Sequence, residues 1–296
     1  AYSTYGIRTV PFFFFYSMFG FQRIGDLIWA AGDMRCRGFV LGGTAGRTTL
    51  AGEGLQHQDG HSHLLALPIP NLQAYDPAFA YEIAVIVREG LRRMFVEKED
   101  IFYYLTVGNE NYVQAAMPEG VDEGILQGLY LFRPGPREGQ SLPNDAVPRL
   151  LGSGAILNQV LAAQQLLSEL YGIPSDVYSA TSYKQLHRDA VDSERHNMLH
   201  PQDPPRVAYV NQCLPRDGRV VVAKLGDVDE ARASFDEFHE ALQYGVEADA
   251  AVPGRDRTAV LVESDGGAGG YLHVAAACSV QVVDVRLTVH LASIRI

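Results

Sequence analysis

Apolar runs too short for helices, alternating with stretches of helical spacing, leave few architectures open to a chain, and this one begins with that alternation. Thr9 to Tyr16 is almost wholly apolar, the pattern of a strand covered on both faces. Phe21, Ile24, Leu27 and Ile28 then recur at helical spacing within a helix expected over 19–34. Gly38 to Leu41 reads as a second strand. Asp76-Pro77 carries the acid and first-turn proline of a helix start, and Phe79, Ile83, Ile86, Val87, Leu91 and Met94 supply its apolar stripe. Ile101 to Val107 is a third strand. Strand–helix alternation of this kind predicts an α/β fold, a parallel sheet with helices on its faces.

Between the second strand and the next helix lies Gly42 to His63, GGTAGRTTLAGEGLQHQDGHSH, with six Gly, three His, Arg47, Glu53 and Asp59. Loops this long in a compact domain usually serve a function. Glycine lets backbone approach a ligand closely, and histidine beside a carboxylate suits proton transfer near neutral pH. The loop is therefore expected on the active-site side of the sheet. His57, Asp59, His61 and His63 have ligand-like spacing, but they match no specific metal motif, and no metal site is assigned. Arg47 suits an anionic substrate or a pairing with Glu53. Trp29 is expected in the core.

Residues 134–148 hold four Pro and two Gly and are expected to separate two domains. Beyond them Arg149 to Leu151 reads as a strand. Ser153 is expected to cap a helix striped by Ile156, Leu157, Val160, Leu161, Leu167 and Leu170, with Gly172 as its C-terminal cap. Asp176 to Thr181, Arg206 to Gln212 and Arg219 to Ala223 read as further strands, and His187 and Arg188 as a solvated helix start. Val228 to Tyr244 has helical spacing, and Val283 to Leu291 alternates like a strand.

With 24 basic against 35 acidic side chains the chain carries a net charge of −11, which argues against nucleic acid or an anionic membrane as partner. Its longest early apolar run is far shorter than the ~20 residues of a membrane span. Cys36, Cys213 and Cys278 lack close pairing and suit a reducing, cytoplasmic setting. Ala1-Tyr2-Ser3-Thr4 leads directly into a strand without an initiator Met, as in a piece whose natural beginning lies upstream.

Several motifs fall in order along the chain. Phe14-Phe15-Tyr16-Ser17-Met18-Phe19-Gly20-Phe21-Gln22-Arg23-Ile24-Gly25-Asp26 is followed by Gly43-Thr44-Ala45-Gly46-Arg47-Thr48-Thr49-Leu50 and Gly52-Glu53-Gly54-Leu55-Gln56-His57-Gln58-Asp59-Gly60-His61-Ser62. Ala74-Tyr75-Asp76-Pro77-Ala78-Phe79-Ala80-Tyr81-Glu82, Asn109-Glu110-Asn111-Tyr112, Leu151-Gly152-Ser153-Gly154 and Asn197-Met198-Leu199-His200-Pro201 continue the series. Over roughly residues 5–214 the chain resembles the homodimeric, thiamine diphosphate-dependent pyruvate dehydrogenase component of bacterial pyruvate dehydrogenase complexes. The resemblance implies a partial pyrimidine-binding, transketolase-like domain over 1–115, a linker over 116–148, and a transketolase carboxy-terminal-like domain over 149–296, with the match lost after about 214. It implies pyruvate as substrate, a dihydrolipoyl acetyltransferase as partner, a homodimer, and thiamine diphosphate with Mg²⁺ as cofactors.

In such enzymes aromatic side chains at the positions of Tyr16 and Phe19 pack against the aminopyrimidine, and Glu53 and His57 line the active centre. The chemistry suits these types: flat rings gain from ring–ring contact, and histidine manages protons near neutral pH. The family's Gly-Asp-Gly diphosphate signature is absent, so the diphosphate and metal site is expected outside this chain. His196 stands where Trp is usual and Ala208 where Pro is usual. The expectation is therefore a pyruvate dehydrogenase piece inactive alone. The alternatives are a non-catalytic α/β remnant that dimerises but binds no cofactor, and another thiamine enzyme of transketolase type.

Overall fold

The computed structural model describes residues 9–45, 54–136, 147–215, 217, 219, 221–225 and 260–263. They form two parallel-rich sheets flanked by helices. The first sheet has strand order β1-β2-β4-β3, all parallel, from β1 (Phe12–Tyr16), β2 (Phe39–Gly43), β3 (Leu72–Tyr75) and β4 (Phe102–Thr106). Helix α1 (Ser17–Asp33) follows β1, the short α2 (Ser62–Ala66) follows the glycine-rich loop, and α3 (Ala80–Leu91) continues into a π-turn over Arg92–Val96.

Strand β4 shows why Phe102 to Leu105 are all aromatic or aliphatic. Alternation sends Phe102 and Tyr104 to one face, where they meet Phe21, Ile28, Ile69 and Leu72. Tyr103 and Leu105 go to the other, against Phe39, Ile86 and Met94. A strand buried on both faces needs apolar residues at every position.

β1 departs from that expectation. It is the edge strand of the described sheet, and Phe12, Phe13, Phe14 and Tyr16 stay 47–65% exposed. Phe15 turns inward, its ring 5.8 Å from those of Phe21 and Tyr104, and half-exposed Phe12 stacks on buried Phe39 at 4.9 Å. On α1, Phe21 and Ile28 are buried, whereas Leu27 and Trp29 face outward and are not core. An apolar run alone does not distinguish a central strand from an edge strand.

The second sheet has order β5-β7-β6-β8-β9, from β5 (Tyr130–Arg133), β6 (Arg149–Gly152), β7 (Asp176–Ser179), β8 (Val221–Leu225) and β9 (Val260–Glu263). β5 runs antiparallel to β7 and the others are parallel. β5, with α4 (Asp122–Gln127) before it, lies within 116–148, so this stretch supplies a strand to the second sheet. Helix α5 (Ile156–Tyr171) ends at Gly172, whose φ of +63° makes the left-handed cap expected from sequence. α6 (Tyr183–Leu199) is capped by Ser182, whose Oγ accepts from the Gln185 amide at 3.1 Å.

Two expectations about local structure are corrected. Residues 206–212 do not form a strand. Their end belongs to helix α7 (Tyr209–Cys213), tied down where the Tyr209 amide donates to Asp189 at 2.5 Å. Neither Asp76 nor Ser153 caps a helix. α3 starts at Ala80, with the Glu82 carboxylate accepting from the Ala78 and Phe79 amides, and α5 starts after Ala155. The expected helix over 228–244, the strand over 283–291 and Cys278 lie outside the described residues.

One core runs through both units. Phe79, Ile86 and Leu105 of the first share a cluster with Ile125, Phe132, Leu150, Leu157 and Val177 of the second. The Phe79 and Phe132 rings stack at 5.3 Å. At its edge lies Glu82, fully buried, accepting from Tyr130 Oη at 2.6 Å and Ser179 Oγ at 2.7 Å. The two sheets are thus welded by apolar contact and by a buried carboxyl with donors from both sides.

Candidate active site

Parallel strands bring all their carboxyl ends to one edge, where ligands of open α/β sheets bind. In the first sheet that edge is set by Tyr16 beside Gly43, Gly42 beside Thr106, and Tyr75 beside Leu105. Chain leaving β1 turns at once into α1, so Tyr16 and Phe19 stand together there. The glycine-rich loop returns to the same edge through a 3₁₀ turn over Leu55–His57. The His57 ring meets Tyr16 edge-on with centroids 4.7 Å apart and planes at 81°, and meets Phe19 at 5.2 Å and 82°. Three residues singled out from the sequence therefore form one cluster. The Arg23 guanidinium lies 4.4 Å from the Phe19 ring centroid. Glu53 and Arg47 lie outside the described residues.

After His57 the backbone is fixed by Asp59. This fully buried carboxylate accepts from the His61 amide at 3.1 Å, the Ser62 amide at 3.0 Å and Ser62 Oγ at 2.5 Å. The turn sends His61 toward α1, where its Nε2 lies 2.6 Å from Gln22 Nε2. It sends His63 toward the end of β4, where its Nε2 lies 3.1 Å from Thr106 Oγ1. Asp59 and the histidines are thus bound into the turn and its neighbours. Among the described residues no three His, Cys, Asp or Glu side chains come together to hold a metal ion.

A second polar group closes the same edge. The Asp76 carboxylate, 8% exposed, accepts from Thr106 Oγ1 on one oxygen and from Ser153 Oγ at 2.8 Å on the other. Gly154 donates its amide to the Asp76 carbonyl at 3.0 Å. Its φ is +54°, and a Cβ there would come within 2.7 Å of Asp76 Oδ1, so glycine is required for this approach. Asp76, Thr106, Asn109, Glu110, Tyr112 and Gly154 line a small crevice between the units. Elsewhere, Lys184 of α6 is buried and donates to the carbonyls of Ala66 at 2.7 Å and Ile69 at 2.5 Å. Burial, assisted by the Arg188 guanidinium, presses its ammonium pKa down to about 7.

The family model for the pyruvate dehydrogenase E1 component middle domain matches residues 1–115, and that for the transketolase-like C-terminal domain matches 128–242. The pyruvate dehydrogenase E1 component of Pseudomonas aeruginosa is 56% identical over 224 residues, covering 75% of this chain and 25% of the relative. That of Escherichia coli K12 is 55% identical over 215 residues, covering 72% and 24%. The chain belongs to the pyruvate dehydrogenase E1 component family. It spans about a quarter of the length of these relatives. The transketolase-like match runs to 242, past residue 214 where the motifs legible by eye stop.

Solved structures place the fold of this E1 family member among transketolases. The transketolase of Campylobacter jejuni aligns with a TM-score of 0.50 at 18% identity, over 72% of this chain and 28% of that one. A split-gene transketolase, described as an inactive beta4 tetramer, aligns with a TM-score of 0.50 at 17% identity, over 90% and 70%. Sequence reading missed the roles of Asp59, Gln22, Thr106 and Lys184. Asp59 was visible as a loop acid followed by Ser62, a spacing suited to a local turn. Lys184 looked like an ordinary helix lysine, and only the fold shows its burial. No helix among the described residues is long and apolar enough to cross a membrane.

Proposed function

We propose that this chain carries one wall of the active centre of a thiamine diphosphate-dependent pyruvate dehydrogenase (acetyl-transferring), with pyruvate as substrate and the lipoyl group of a dihydrolipoyl acetyltransferase as acceptor. The observation that supports it most is the cluster of His57 with Tyr16 and Phe19 at the carboxyl edge of a sheet in this family. Half-exposed aromatic rings beside a histidine at an open sheet edge suit a flat heteroaromatic ring. When bound, the cofactor would supply an electron sink. The residues of this wall have the following roles. Tyr16 and Phe19 hold and orient the ring by apolar contact. His57 lies within reach of the same space and holds or moves a proton at the substrate oxygen. Glu53, four residues earlier, is proposed as its acidic partner.

Among the described residues no three His, Cys, Asp or Glu side chains come together to hold a metal ion, and the Gly-Asp-Gly signature is absent from the sequence. We assign that half of the site to sequence outside this chain, which makes the chain inactive alone. A homodimer in the cytoplasm completes the proposal. The test is a chimera in which residues 9–213 replace the matching segment of the Pseudomonas aeruginosa E1 component. Pyruvate-dependent reductive acetylation of lipoyl groups by the folded chimera is expected. A folded chimera that binds thiamine diphosphate but turns over no pyruvate would refute the proposal.

A further inference from the structure

Helix α2 joins the loop that carries His57 to strand β3, and it is gripped at both ends. At its first turn His63 Nε2 contacts Thr106 Oγ1, Thr106 Oγ1 donates to Asp76, and Ser153 Oγ of the second unit donates to the other Asp76 oxygen at 2.8 Å. At its last residue and just beyond, Lys184 Nζ, also of the second unit, donates to the Ala66 and Ile69 carbonyls. Five residues separate His57 from His63, and the Asp59 turn fixes that interval.

The proton arrangement follows from donor counting. A threonine hydroxyl has one hydrogen, and Thr106 Oγ1 directs it to the acceptors Asp76 Oδ1 and Tyr75 O. With Asp76 ionised, His63 is left to donate from Nε2. On the other arm of the turn, the Gln22 amide nitrogen donates to the Met18 carbonyl at 3.1 Å, which identifies it as nitrogen. His61 Nε2 lies 2.6 Å from the same nitrogen, which can only donate. His61 must therefore accept at Nε2 and carry its proton on Nδ1. Two histidines two residues apart are thus held in opposite tautomers by partners on different elements.

We propose that α2 is a clamped strut. The relay His63–Thr106–Asp76–Ser153 at one end and Lys184 at the other let the second unit set the position of His57 and His61. Thr106, Ser153 and Lys184 are positioning residues that act through α2. Their bearing on turnover rests on the function proposed above, but the clamp itself does not, and its test needs no turnover.

The chain labelled with ¹⁵N in its histidine side chains reads the tautomers directly. His63 is expected as the Nε2–H form and His61 as the Nδ1–H form. Thr106→Val keeps the shape and removes the hydroxyl, so His63 should lose its single tautomer and the amides of 61–67 should exchange faster by on the order of tenfold, the scale of one lost buried hydrogen bond. Thr106→Ser restores the hydroxyl and should restore both readouts. Ser153→Ala and Lys184→Met alter only the second unit, yet each should speed exchange across 61–67. A His63 ring in the Nδ1–H form, or Ser153→Ala and Lys184→Met variants whose 61–67 amides exchange as in the parent, would overturn the clamp. That result would stand apart from the chimera assay, which judges the reaction.

Discussion

The rings of Tyr16 and His57 meet edge to face, 4.7 Å between centroids, although forty-one positions separate them along the chain. Tyr16 ends the first strand and His57 ends a turn in the loop after the second. Their meeting is a consequence of parallel pairing between β1 and β2, which delivers both segments to the same edge.

If Tyr16 and Phe19 support a bound ring, each is worth about 0.5–1.5 kcal/mol of ring–ring contact beyond area. Tyr16→Ala and Phe19→Ala in the chimera should each raise the Kd for thiamine diphosphate by roughly two- to tenfold. Calorimetric titration checks this. Thermal stability should change little for Tyr16→Ala, because Tyr16 is 52% exposed.

Lys184 gives the chain a basic-side pH dependence. Its folded pKa is about 7 and its ordinary value is 10.5. Between those values the unfolded chain binds the proton that the folded chain has released, so stability rises with pH across this window and is flat below about 7. Lys184→Met keeps the buried stem and should remove that rise. It should also lower stability by about 1–3 kcal/mol, the cost of unpaired buried carbonyls. Urea unfolding at a series of pH values reads both effects.

Glu82 acts in the opposite sense. Burial pushes its carboxyl above the ordinary value of 4.5, against hydrogen bonds from Tyr130, Ser179, Phe79 and Ala78 that favour the ionised form. From 4.5 up to its raised pKa the folded chain holds a proton the unfolded chain has lost, so stability falls as pH rises through that window. Glu82→Gln should flatten this fall. Glu82→Ala should cost about 1–3 kcal/mol for each donor left unpaired, and denaturant unfolding at pH 4 and pH 7, roughly the ends of the ordinary carboxylate-to-neutral range, separates the two variants.

The sequence carried the α/β alternation because strands such as β4 are covered on both faces and helices such as α3 on one, and both patterns leave a periodic trace. It carried Tyr16, Phe19 and His57 as single residues through ordered motifs, but not that their rings meet. It did not carry which apolar strand lies at an edge, so Phe12 to Phe14 and Trp29 read as core. Asp76 was legible as a helix start only because Asp-Pro usually is one; its carboxylate instead joins Thr106 and Ser153, partners 30 and 77 residues away. Long-range polar pairings leave no local periodicity, and for that reason the contacts holding α2 were invisible until the fold placed them.

The measurement that bears most directly on the account is the turnover of the chimera with His57→Ala beside its parent, read as pyruvate-dependent acetylation of lipoyl groups. Loss of a positioned proton-transfer group should lower kcat by roughly 10²–10⁴, with the unfolding midpoint within a few degrees of the parent. A variant that turns over pyruvate at the parent's rate would contradict the assignment of His57, and with it the reading of this sheet edge as the active centre.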